Sequence, residues 1–63
     1  MRSEAELLVV RAEQLVAGWG RRATIAVETK LRDAKRQGDE AAQWRWEEIG
    51  RHVRELIASG SHR

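Results

Sequence analysis

Gly38-Asp39-Glu40-Ala41-Ala42-Gln43-Trp44-Arg45-Trp46-Glu47-Glu48-Ile49 is the stretch on which the fold turns. From it onward Ala42, Trp46, Ile49, Val53 and Leu56 recur at steps of four, three, four and three, with Ile57 beside them. That spacing lays one apolar stripe along a helix. Gly38 is suited to the left-handed conformation that closes a preceding helix, and Asp39 to accepting hydrogen bonds from the free amides that open the next. The chain is therefore expected to reverse at this pair.

Upstream, Ser3-Glu4-Ala5-Glu6 matches a capping box, in which the serine hydroxyl and the glutamate side chain each satisfy the other's backbone amide. The helix it starts has a stripe of Leu8, Ala12, Leu15, Val16 and Trp19. Between Arg21 and Gln37 a second helix has Ala23, Ala26, Val27, Leu31 and Ala34 on its inner face, small residues that let a neighbour come close. Thr24 to Thr29 also alternates like a strand, but a lone short strand has no partner here, so helix is expected.

The ambiguous joint is Gly18-Trp19-Gly20, since each glycine inside a helix costs about 1 kcal/mol relative to alanine. A break there gives an all-α, small three-helix domain over residues 1–63, with helices at about 3–17, 21–37 and 39–58 and a frayed tail at 59–63 behind the stop at Gly60. Without the break the first half becomes one helix of roughly 35 residues and 52 Å. The alternative is then a long two-helix hairpin dimerising into a four-helix bundle. Alanine at both glycines is expected to harm a true turn.

With 63 residues there is room for one small core, and chains of this size bury only about 60% of their unfolded surface. Such domains are commonly helped by disulfides, metals or association. No cysteine is present, and the only histidines are His52 and His62. No metal site, cofactor or catalytic residue is expected, because zinc sites want three or four ligands and no nucleophile, base and orienting acid stand in a known pattern. An enzyme is not expected. Neither a membrane span nor a signal peptide is visible, and the chain reads as cytoplasmic.

Tryptophans Trp19 and Trp46 lie on their stripes and are expected in the core. Glu47 with Arg51, and Glu48 with His52, are spaced as surface ion pairs.

Gly20 to Leu56 resembles a family of short, mostly alphaproteobacterial helical proteins classed as a domain of unknown function. The likeness lies in a small-residue helix ending at Gly38-Asp39, then Trp46 eight residues after that glycine and Ile49 three further on. It implies a compact bacterial helical domain and no activity. The chain departs from the pattern at Gly18-Trp19-Gly20.

Two surfaces are candidates for function. Leu7, Val10, Ile25 and Trp44 fall off the stripes, and with Arg45 they have the aromatic, aliphatic and arginine make-up of protein interfaces. The expected function is thus a small non-enzymatic protein-interaction module acting through a partner protein or itself, as a homo-oligomer. The alternative is a small basic nucleic-acid-binding protein using Arg21, Arg22, Arg32 and Arg36 of the second helix. The net charge of +2 permits either, and Glu28, Asp33 and Asp39 are expected to neutralise much of that arginine face.

Overall fold

A computed structural model describes residues 3–59. The arrangement is all-α: α1 spans Glu4–Trp19, α2 Ala23–Gln37 and α3 Glu40–Ala58, with one 3-10 turn, Gly20–Arg22, between α1 and α2. Gly60 and His62 lie outside the described residues.

Local chemistry accounts for the start of α1 and for the turn from α2 into α3. Ser3 Oγ accepts from the Glu6 amide at 3.2 Å and Glu6 Oε1 accepts from the Ser3 amide at 3.0 Å, so the capping box starts α1 as read. At the end of α2 the Gly38 amide donates to the Lys35 carbonyl and the Asp39 amide to the Ala34 carbonyl. With Gly38 at φ 71° and ψ 24°, this is the left-handed Schellman closure. Asp39 Oδ1 then accepts from the Ala42 amide at 3.0 Å and opens α3.

Thr24 and Thr29, which lent the segment its strand-like look, sit in the helix by donating their hydroxyls to the carbonyls of Arg21 and Ile25 at 3.1 and 3.0 Å. This is the back-bonding open to threonine in a helix.

The joint is a break. Gly20 stands at φ 61° and ψ −135°, outside the helical region and strained for any residue with a Cβ. A straight helix from Glu4 to Gln37 would be about 51 Å long at 1.5 Å per residue. The longest dimension of the molecule is 38 Å. The long-hairpin alternative is therefore replaced by three helices, of which α3 packs against both α1 and α2 while those two meet little beyond their joint.

The core sits along α3. Leu8, Ala12, Ala23, Val27, Ile49 and Val53 form one buried cluster, and Leu15, Val16, Trp46, Leu56 and Ile57 pack around it half-buried. Ala34 is buried near the hairpin turn. No aromatic ring is buried, and Val53 is the largest side chain hidden almost completely. The core is thin, in keeping with a molecule only 16 Å deep in its narrow direction.

Gly50, off the expected stripe, is buried too. A Cβ built there would stand 3.0 Å from Val27 Cγ1, so the glycine is what lets α2 and α3 approach this closely.

Candidate functional site

Trp19 corrects the sequence reading first. It lies on the α1 stripe, yet is 58% exposed, because the chain turns away at Gly20 just where α1 would carry the ring inward. Trp46 does reach the core cluster, though half-buried at its edge.

The off-stripe residues distribute as follows. Leu7, Ile25 and Trp44 are exposed, Arg45 is exposed, and Val10 is half-buried. They do not gather into one patch. Leu7 lines a groove with Glu4, Arg11 and Arg45 on one side of the α1–α3 seam. Trp44 lines a different hollow with Val9, Glu48 and His52. Leu8 lines both, because it is the seam residue between them. At 100° per residue, Leu7 and Val9 flank Leu8 on opposite sides of α1, which puts Leu7 and Trp44 on opposite sides of the seam.

Ile25 shares its surface with Trp19 instead. Together with Arg22, Ala26, Thr29 and Lys30 they line an open hollow of about 300 Å³ at the joint. This pairing of an aromatic and a β-branched aliphatic residue across a helix break was not legible from either stripe. The available signal was Gly20, whose positive φ re-aims Trp19 toward the outer face of α2.

The basic surface is less neutralised than its sequence neighbours imply. Among the described residues, ion pairs within 4 Å involve only Glu48, Arg51, His52 and Glu55, all on α3. Arg21, Arg22, Arg32 and Arg36 are exposed and none pairs with Glu28, Asp33 or Asp39.

The pairing within α3 also differs from the spacing rule used. Arg51 Nη2 meets Glu48 at 2.8 Å and Nη1 meets Glu55 at 3.3 Å, and His52 Nδ1 lies 3.7 Å from Glu55. Arg51 chooses the carboxylates one turn before and one turn after it, leaving Glu47 on the flank that faces Gly50 and Arg54. The hydrogen bond to Glu48, then the charge of that carboxylate and of Glu55, raises the Arg51 guanidinium above its ordinary pKa. Arginine is charged at every working pH, so no pH switch follows.

Among the described residues, no three His, Asp or Glu side chains converge as a metal site, and no buried side-chain polar atom lacks a partner. No helix among them is long and apolar enough to cross a membrane.

No protein-family model, curated protein or solved structure matches this chain.

Proposed function

We propose that this chain is a small non-enzymatic interaction module that works by presenting apolar and aromatic side chains on a helical scaffold to another protein, or to itself. One observation carries the reading: no aromatic ring is fully buried, Trp46 reaching only the edge of the core, while Leu7, Trp19, Ile25 and Trp44 are each about half or more exposed. Single exposed apolar residues are ordinary. Four large ones, including two of the three tryptophans, on a domain whose core is this thin, are surface whose burial by a partner would add to the apolar area taken from water.

The nucleic-acid reading is kept second, and the unpaired state of Arg21, Arg22, Arg32 and Arg36 is what favours it, since phosphate binding needs cations not already satisfied. The resemblance to short bacterial helical proteins stands beside both readings and adds no activity to either.

Photo-crosslinking in cells tests the proposal. A photoreactive residue placed at 7, 19, 25 or 44 is expected to give discrete protein adducts, of another protein or of the chain itself, at one or more of these positions. The same residue at Glu13, exposed and polar, is expected to give none. Adducts equal at all five positions, or adducts with nucleic acid alone, would overturn the reading.

A further inference from the structure

The hollow at the joint differs from the other surfaces in charge. Trp19, Arg22, Ile25, Ala26, Thr29 and Lys30 line it, so two cationic residues border it and no acid does. Both cations lack an ion pair within 4 Å. Along α2 the positive edge continues: Ile25, Thr29, Arg32 and Arg36 follow one another at steps of four, three and four on one face. The acids of α2 are Glu28, three residues after Ile25, and Asp33, three after Lys30; neither lines the hollow and neither makes an ion pair. The combination is an apolar hollow with a cationic border.

We propose that this hollow docks an acidic amphipathic segment of a partner protein, an apolar side chain of which enters between Trp19 and Ile25 while flanking carboxylates meet Arg22 and Lys30. The proposal rests on the interaction reading above and names the partner's chemistry. Charge complementarity selects the occupant. A second copy applied through the same face would set Arg22 and Lys30 against themselves, and like charges across an interface are costly. The chain's own apolar groove at Leu7 is a poor complement, because Arg11 and Arg45 line it as well as Glu4. Nucleic acid would use the cations and could stack on Trp19, but the aliphatic surface of Ile25 and Ala26 offers nothing to phosphates or base edges. An apolar side chain uses that aliphatic surface, and tryptophan and arginine are among the residue types enriched at interface hot spots.

The test is titration of isotope-labelled protein, followed through the Trp19 indole and the amides of residues 19–32. Four conditions are compared: a synthetic helix-forming peptide with Leu and Phe on one face and Glu on the other, the same peptide with Lys for Glu, a short oligothymidine, and simple dilution. The acidic peptide is expected to give saturable shifts there, with the lysine peptide giving none. Ile25→Gln should weaken that binding by roughly tenfold or more, as loss of a hot-spot residue does. Both Trp19 and Ile25 are exposed, so the variant should keep its helices. A second variant, Arg22→Glu with Lys30→Glu, should abolish acidic-peptide binding and admit the lysine peptide, and it leaves the apolar lining untouched.

Shifts at Trp19 with oligothymidine that fade steeply with salt, or with dilution alone, would replace the proposed occupant with nucleic acid or a second copy. Acidic-peptide shifts centred on Leu7 or Trp44 would overturn this site and leave the interaction reading standing. No peptide shifts anywhere, combined with no position-dependent crosslinks, would sink both.

Discussion

Gly38 and Gly20 each end a helix at positive φ, yet the two reversals have different consequences. At Gly38 the turn is bonded on both sides: its own amide and that of Asp39 close α2, and the Asp39 carboxylate caps α3. The helices on either side pack tightly enough that Gly50 is needed where Val27 approaches. At Gly20 the amide closes α1 onto the Val16 carbonyl, but the 3-10 turn that follows and the start of α2 have no side-chain cap. The helices it joins hardly touch, and Trp19 is left outside. A glycine turn backed by caps and packing builds the stable part of a small fold. A glycine turn without them frees surface, and here it is the surface with the most chemistry to offer a partner.

The sharpest way to break this comparison is to attack the packed hairpin. Ile49→Ala removes a 4% exposed side chain from the centre of the α3 stripe and should cost about 2–5 kcal/mol, a large share of the stability of a domain this small. Chemical denaturation should find little or no cooperative transition left. A midpoint close to the parent's would mean that the hairpin does not carry the fold.

The joint comes next, where two glycines separate cleanly. Gly20→Ala should destabilise by about 1–3 kcal/mol, because φ 61° with ψ −135° is almost closed to a residue with a Cβ. Gly18→Ala should do the opposite and gain about 0.5–1 kcal/mol, since Gly18 is helical and a Cβ there meets nothing within 4 Å. Thermal melts of the two single variants decide the matter, and shifts of the same sign would refute the assigned geometry. The sequence alone led to expected harm from both changes together, and the backbone angles assign it to Gly20.

The smallest effect sharpens the contrast from the other side. Trp19→Gln should change stability by no more than about 0.5 kcal/mol, as an exposed position does, despite removing one of three tryptophans. A loss on the scale of Ile49→Ala, measured in the same denaturant series, would return Trp19 to the core.

Caps, stripes and the hairpin turn were legible because they are local. Ser3 with Glu6, Gly38 with Asp39, and the three-and-four spacing from Ala42 to Ile57 each state their structure within a turn or two of backbone, and hydrogen-bond geometry leaves few alternatives. The all-α class followed from them. Helical periodicity also marked Leu7, Ile25 and Trp44 as outward-facing.

It could not say which of them share a surface. That depends on how α1 leaves Gly20 and on where α3 lies between its neighbours, and both are set by packing across the chain. Tertiary structure alone moved Trp19 out of the stripe and beside Ile25, divided Leu7 from Trp44 across the α1–α3 seam, and buried Gly50 against Val27. It also left the α2 arginines unpaired although acids stand near them in sequence. The physical reason is the same in each case. Periodicity records which way a side chain points from its own helix, while a neighbour's position is fixed only when the apolar stripes of all three helices are buried together.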